Sequence, residues 1–196
     1  CFMDAREAPP LLQDRGAEPI CRIHPVHTVT LGRLAELAEG FAAGREALAV
    51  PYLAEGSFEK KFYSTFLSYL PAQKAIYPLP MHCDVRGSFT EFLRSPERGQ
   101  VSVNVAKPGV VKGNHWHHTK NEKFLVVSGR AVIRLRRVDE GEVHEFFVSG
   151  DTLQVVDILP GYTHNIENIG REDLVTVMWA NEPFDPTRPD TFPLPV

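Results

Sequence analysis

The sequence predicts a mainly β protein, an antiparallel sandwich or barrel with a jelly roll among the leading candidates, preceded by a short α-helical segment. Three observations carry this. Beyond Pro71 the apolar residues take a two-residue period, as in "QVSVNVA", where Val101, Val103 and Val105 share one face. Short runs of this kind recur at even spacing, each closed by a turn rich in Gly or Pro, which is the pattern of a two-sheet or barrel fold. Ahead of Pro71 the period is helical, so the chain divides into an unassigned lead-in over 1–25, a helical segment over 26–72 and a β domain over 73–196.

Taken in order, the lead-in shows no usable periodicity. A helix is expected from Thr30, whose hydroxyl suits an N-cap, with Leu31, Leu34, Leu37, Ala38 and Phe41 as one apolar stripe and Gly44 as its stop. A second should follow Ser57, with Phe58, Phe62, Phe66 and Tyr69 along one side and Pro71 ending it. Those aromatics read as core or partner packing. In the β domain, "KFLVVS" is a continuous apolar run suited to a strand buried on both sides, and "AVIRLRR" sets Ala131, Ile133 and Leu135 against Val132, Arg134 and Arg136. Further strands fit "VHEFFV", "TLQVVDI", "HNIEN" and "LVTVMWA", with turns at 107–109, 128–130, 139–141, 149–151, 159–161 and 169–173.

Composition narrows the function. A formal charge of −4 argues against a general nucleic-acid binder. No apolar run approaches bilayer length and no cleavable secretory pattern opens the chain. Cys1, Cys21 and Cys83 are odd in number and widely spaced, which is no disulfide framework and points to a reducing cytoplasm. The chain starts at Cys1 with no methionine, as expected of a processed start or of a piece of something longer.

Three of the eight histidines crowd into "GNHWHHTKNEKF". On an extended strand His115 and His117 point to the same face, and Glu122 falls near the start of the next strand. "PGYTHNIEN" then supplies His164 after a Pro-Gly turn. Three imidazoles and a carboxylate converging inside a barrel are a sound ligand set for a divalent transition metal.

Gly109, His115, His117, Glu122 and Gly129 fit the first cupin motif: a glycine, five residues, His-x-His, four residues, Glu, six residues, glycine. Gly161, His164 and Asn168 fit the core of the second, except that proline directly precedes Gly161. The fold this implies is a cupin jelly-roll barrel. The surrounding "MHCDVRGSFTEF", "VVDILPGYTHNIENIG" and "VMWANEPFDPTRPDTF" resemble the C-terminal cupin of capsular-polysaccharide enzymes of the CapF type. "FEKKFYSTFLSYLP" and "TVTLGRLAELAEGFAAGRE" resemble the linker and the tail of the short-chain reductase domain that precedes it. The resemblance implies a zinc ion and a UDP-sugar substrate: in that family the cupin epimerises C3 of a UDP-linked 4-keto-6-deoxy-2-acetamido sugar, and the reductase then uses NADPH on the way to UDP-N-acetyl-L-fucosamine. The Gly-rich dinucleotide turn and the catalytic Tyr-x-x-x-Lys of that reductase do not occur here, so no NADPH site is expected in this chain.

"DVRGSFTEF" also resembles "D-x-R-G-x-F-x-E" of the metal-free dTDP-4-keto-sugar 3,5-epimerases, which makes Arg86 and Glu91 candidates for substrate contact, the alternative being a structural Arg–Glu pair. Those enzymes carry a lysine where this chain has Glu122, so the proton carriers are sought among Lys120, Lys123, His118 and Tyr162, with Lys120 foremost. Strand alternation opposes Lys123 to Glu122 and His118 to His117. Trp116 either shields the site or fills space between sheets. Asn104 is placed to point inward by the same parity, and "NEPFDPTRPDTF" reads as an ordered tail over the barrel or a dimer partner. Two other readings stand beside the epimerase, a non-catalytic metal- or sugar-binding cupin and a metal-dependent oxygenase. The resemblance further implies a homodimer, which a monodisperse monomer in light scattering would refute.

Overall fold

The computed structural model describes residues 26–196; the lead-in, with Cys1 and Cys21, lies outside the described residues. The chain forms two compact units, one helical and containing Leu53–Ile76, the other containing Gly44–Tyr52 and Tyr77–Val196.

In the helical unit, α1 spans Leu31–Glu46 and α2 spans Phe58–Ser68. The Thr30 hydroxyl accepts from the Arg33 N–H at 3.2 Å, and the Ser57 hydroxyl accepts from the Lys60 N–H at 3.1 Å. Each hydroxyl satisfies one of the donors that a helix start leaves open. Leu37 and Phe41 are buried while Leu31 is exposed, so the apolar stripe is shorter than its sequence suggests. The Phe41 ring meets Tyr63 at 4.8 Å, Phe66 at 5.7 Å and Phe62 at 5.8 Å, which is the packing that joins the two helices. Gly44 does not stop α1: the helix runs on to Glu46, and the chain turns at Leu48, whose φ is 57°.

The β unit is a pair of antiparallel sheets. The strands are β1 (His82–Asp84), β2 (Gly87–Ser95), β3 (Gly99–Ala106), β4 (Val111–Trp116), β5 (Glu122–Ser128), β6 (Arg130–Arg137), β7 (Val143–Ser149), β8 (Val155–Ile158), β9 (Tyr162–Asn168), β10 (Leu174–Ala180) and β11 (Phe192–Pro193). One sheet has the order β1-β2-β3-β10-β5-β8 and the other β11-β4-β9-β6-β7. Chain neighbours such as β3 and β4, or β5 and β6, lie in opposite sheets, so the chain crosses repeatedly between layers, as a jelly roll requires.

The apolar core draws Phe124 and Val126 from β5, Ala131, Ile133 and Leu135 from β6, Ile158 from β8, Ile166 from β9 and Leu174 from β10. β5 is not buried on both sides: Phe124 and Val126 face in, while Lys123 and Val127 are exposed. Along β3 the pattern inverts a simple hydrophobic-inside expectation. Gln100, Ser102 and Asn104 are buried and the valines between them are only half-buried. A polar stripe inside a sandwich carries a desolvation cost unless something polar occupies the interior, and something does.

Candidate metal centre

The site begins with an irregularity in β4. Its pairing with β9 runs Gly113 opposite Asn165 and then slips, setting His115 opposite His164. The slip is a β-bulge at Gly113 and Asn114, with φ of 104° and 62°. Only glycine fits the first position, because a Cβ there would lie 2.8 Å from the His164 carbonyl oxygen. Asn114 is secured by its side-chain oxygen, which accepts from Asn165 Nδ2 at 3.0 Å, and by its carbonyl, which accepts from the Leu194 N–H at 2.9 Å.

As a result the His115 and His164 rings touch, 4.5 Å between centroids, with His117 5.0 Å from the first and 5.5 Å from the second. Glu122, opening β5, brings its Oε2 to 3.4 Å from His117 Nε2 and 3.5 Å from His164 Nε2. One ligand atom from each of the four residues lies within 4.8 Å of the other three. The start of β9 is set by a turn in which Pro160 and Gly161 hold the central positions. Gly161 has φ of 78° and the Tyr162 N–H donates to the Leu159 carbonyl at 3.2 Å. Proline followed by a positive-φ glycine is what a type II turn calls for, so the departure from the second cupin motif is a turn preference only. The Gly161 N–H also donates to the His117 carbonyl at 2.8 Å, tying that turn to the cluster.

His117 and His164 are 2% and 1% exposed, and His117 Nε2, Glu122 Oε2 and both ring nitrogens of His164 are buried without a hydrogen-bond partner. So many orphaned acceptors and donors at one point are costly unless a ligand satisfies them. Burial, reinforced by the neighbouring His164 and His117, pulls the His115 pKa down to about 4, so its imidazole is neutral at pH 7. For Glu122 burial acts upward, but its contacts with His117 and His164 outweigh that and take it down to about 2, leaving a carboxylate. His117 Nδ1 is hydrogen-bonded to the Asp190 carbonyl, which puts the proton on Nδ1 and aims the Nε2 lone pair at the cluster. Imidazole nitrogens and one carboxylate in this arrangement have the composition to hold a divalent metal ion.

Two open cavities meet at the cluster. One, of about 370 Å³, is lined by Arg86, Asn104 and Lys112 with His115, Glu122 and His164. The other, of about 450 Å³, is lined by Glu91, Arg94 and Lys120 with His115, His117 and Glu122.

Of the residues singled out from sequence, Lys120 is brought in, its side chain buried in the second cavity. Lys123 is not: it lies on the outer face of β5 and its Nζ pairs with Asp157 at 2.5 Å. His118 is also outside, its ring against Trp116 at 4.5 Å and Phe192 at 4.9 Å, and neither His118 nor Trp116 lines the two cavities. Tyr162 packs against the apolar core and lines neither cavity. Arg86 and Glu91 reach different cavities and do not pair with each other. Arg86 is held by Asp84 at 2.6 Å and Glu91 by Arg94 at 2.5 and 2.7 Å. Asn104 faces the first cavity, as parity indicates.

Two residues escape a reading of the sequence. Lys112 lines the first cavity and its amine donates to Asn104 Oδ1 and the Val105 carbonyl, both at 2.8 Å, and to the Ser88 carbonyl at 3.4 Å. Burial lowers its pKa. Three residues from His115, it belongs on the opposite face of a regular strand, and the bulge restores it to the same side; the signal was "GN", two residues tolerant of positive φ inside a strand. The other is Asp190 in the tail. Burial works to raise its pKa, but backbone N–H groups of Lys120, His118 and Thr119 outweigh that and hold the carboxyl below the usual carboxylate range.

A two-sheet jelly roll with three histidines and a glutamate gathered in its interior is a cupin. The family model described as the polysaccharide biosynthesis C-terminal domain matches residues 82–192, and the chain belongs to that family. It is 40% identical over 171 residues to UDP-2-acetamido-2,6-beta-L-arabino-hexul-4-ose reductase of Pseudomonas aeruginosa, covering 87% of this chain and 46% of that protein. The spore coat polysaccharide biosynthesis protein SpsL of Bacillus subtilis is 27% identical over 127 residues, 60% of this chain and 84% of that one. Among solved structures, the capsular polysaccharide assembling protein CapF from Staphylococcus aureus superposes with a TM-score of 0.82 at 60% identity, over 86% of this chain and 49% of that chain. CapF with the inhibitor 3-isopropenyl-tropolone gives the same TM-score over 48% of its chain. The chain thus spans about half the length of CapF and of the Pseudomonas reductase.

Proposed function

We propose that this chain is a zinc-dependent C3 epimerase of a UDP-linked 4-keto-6-deoxy-2-acetamido sugar, serving capsular polysaccharide synthesis in the reducing cytoplasm as a homodimer. The observation that carries the reading is the buried cluster of His115, His117, Glu122 and His164, with unpartnered ligand atoms opening onto two cavities that each hold a lysine. The names of the relatives supply the substrate class: one is a reductase of a UDP-2-acetamido hexulose and another assembles capsular polysaccharide. Hydride transfer is assigned to no residue of this chain.

Epimerisation beside a ketone breaks the C3–H bond, leaves the electron pair delocalised onto the carbonyl oxygen, and returns a proton to the opposite face. His115, His117, Glu122 and His164 would hold a zinc ion, which when bound would supply Lewis-acid charge to stabilise a carbonyl oxygen that becomes negative. Removing and returning the proton requires a carrier on each side of the sugar, each contributing roughly 10²–10⁴-fold. Lys120 and Lys112, in separate cavities that share His115 and Glu122 as walls, are the residues we assign to those roles. Lys112, its amine donating to three oxygens, is the residue we assign as proton donor, and burial, which lowers its pKa, makes that proton easier to release. Arg86 carries a permanent charge, its pKa raised further by Asp84, and a forked guanidinium at the edge of the first cavity suits the diphosphate.

The test is proton exchange. Zinc-loaded protein is incubated with the UDP-4-keto-6-deoxy sugar in heavy water without NADPH, and C3 is followed by NMR. Loss of the C3 proton signal, abolished by a chelator and by His115→Ala, is the expected result. Exchange no faster than the protein-free rate, with zinc bound and the fold intact, refutes catalysis by this chain and leaves a binding module.

A further inference from the structure

The chain's last residues do more than cover the barrel. The Asp190 carboxylate accepts from the N–H groups of His118 at 2.9 Å, Thr119 at 2.8 Å and Lys120 at 2.8 Å, and from the Thr119 hydroxyl at 3.2 Å. The carbonyl of the same residue takes the hydrogen bond from His117 Nδ1. One tail residue therefore grips both the ring of a cluster histidine and the backbone of the segment running from it to Lys120. Around Asp190 the tail is fastened at several further points. β11 pairs with β4, setting Phe192 beside Trp116 and Pro193 beside His115. The Thr163 hydroxyl donates to the Leu194 carbonyl, and Arg136 Nη2 donates to the Pro195 carbonyl at 2.7 Å. Glu182, Phe184 and Thr191, all from the tail, wall the second cavity.

From this arrangement we infer that Asp190 is a positioning residue of the metal centre, and that the C-terminal strap it anchors is a working part of that centre. The inference rests on the metal reading of the cluster. A carboxylate receiving three backbone N–H groups holds the loop at 118–120 in one conformation, and the carbonyl above it settles which nitrogen of His117 is free to bind. Without the carboxylate, those N–H groups turn to water, the loop loosens, and the ion must order it at the expense of affinity. Removing the carboxylate leaves the residue 190 carbonyl in place but frees the segment that carries it, and displacement of that outer-shell partner of His117 weakens metal binding by up to roughly 10–100-fold. Asparagine in place of Asp190 keeps one acceptor oxygen and loses the charge, so its effect should be smaller.

The experiment uses the full chain as wild type, Asp190→Asn, Asp190→Ala and the control Asp185→Ala, since the Asp185 carboxylate accepts from its tail neighbour Thr187 and is drawn on by Arg188 beside it. Zinc affinity is measured by competition with a chromophoric chelator, and the visible spectrum of the cobalt-substituted protein reports ligand geometry. One ion per wild-type chain is expected, with affinity about 10–100-fold weaker and an altered cobalt spectrum for Asp190→Ala, a lesser change for Asp190→Asn, and none for Asp185→Ala. A folded Asp190→Ala protein that binds zinc within twofold of wild type, with an unchanged cobalt spectrum, overturns the inference. Should the alanine variant fail to fold, Asp190→Asn decides it on the same two readouts. A wild-type chain that binds no zinc sinks the metal reading and this inference together, whereas intact wild-type binding with insensitive variants sinks the role of Asp190 alone.

Discussion

Gly113→Ala tests whether the bulge in β4 builds the cluster. The added Cβ would sit 2.8 Å from the His164 carbonyl oxygen and 3.0 Å from Asn165 Cα, both main-chain atoms that no rotamer change can clear. It would also sit on a backbone whose φ is 104°, where an L side chain costs about 1–3 kcal/mol. Overpacking against fixed backbone adds about 1–3 kcal/mol, and the stiffer unfolded chain returns only about 0.4–1 kcal/mol. The net expectation is a loss of about 1–5 kcal/mol in urea denaturation of the metal-free protein. Relief comes by widening the gap between β4 and β9 or by losing the bulge. The first separates His115 from His164; the second turns His115 away from it. Zinc affinity should therefore fall along with stability, while Gly141→Ala, where an added Cβ meets nothing within 4 Å, changes neither. A Gly113→Ala protein within 0.5 kcal/mol of wild type and with undiminished zinc affinity would refute the argument, because the two results together mean the bulge is not what sets the two histidines face to face.

The lysines separate by the same logic. Lys112→Met and Lys120→Met should each slow C3 proton exchange by roughly 10²-fold or more, and Lys123→Met should leave it unchanged, since the Lys123–Asp157 pair is exposed and contributes less than about 1 kcal/mol. Equal exchange rates in all three would remove the cavity lysines from the chemistry. Metal-free protein should also weaken in mild acid. The folded His115 pKa of about 4 lies below its ordinary 6.5, so between those values the unfolded chain binds more protons. The stability this ring contributes is complete above pH 6.5 and lost as pH falls towards 4, about 2 kcal/mol after solvent screening of a half-buried group. Urea midpoints at pH 7, 5.5 and 4.5 measure it; in a His115→Ala background the slope over that range should shrink, and an unchanged slope counts against the assignment.

How much of this was legible depended on how local the signal was. The helix caps at Thr30 and Ser57, the Pro-Gly turn before His164 and the strands at β6 and β10 are short-range features, and the structure reproduces them, although Val132 is buried with Ala131 and Ile133 rather than alternating with them. The four cluster residues were legible for a related reason, since ligand chemistry restricts the residue types and a strand restricts their spacing. β1 and β2 were not recognised as strands, because "HCD" is too short for any period and "GSFTEFLRS" mixes polar and apolar residues on both faces. Lys123, His118 and Tyr162 were proposed on nearness in sequence to the ligands. In a strand such nearness places alternate residues on opposite sides of the sheet, as Lys123 shows.

What escaped the sequence shares one cause: a long-range partner whose position no local pattern encodes. Lys112 enters the cavity only because β4 slips against β9, some fifty residues further along. Asp190 reaches His118 across 72 positions, within a proline-rich tail that shows no period at all. The polar stripe on β3 points the same way. Gln100, Ser102 and Asn104 occupy inward positions where a purely structural sandwich would keep valine or isoleucine, so this interior gives up apolar burial worth roughly 25 cal/mol per Å². A fold tolerates that loss when other terms replace it. Here the replacements are the Lys112 hydrogen bonds to Asn104 and Val105, the strap hydrogen-bonded through Asp190, and, on the reading proposed above, an ion shared by four side chains, three of which carry buried unpartnered ligand atoms. Zinc should accordingly stabilise the fold as it completes the site, because it binds an arrangement of ligands that the unfolded chain does not possess.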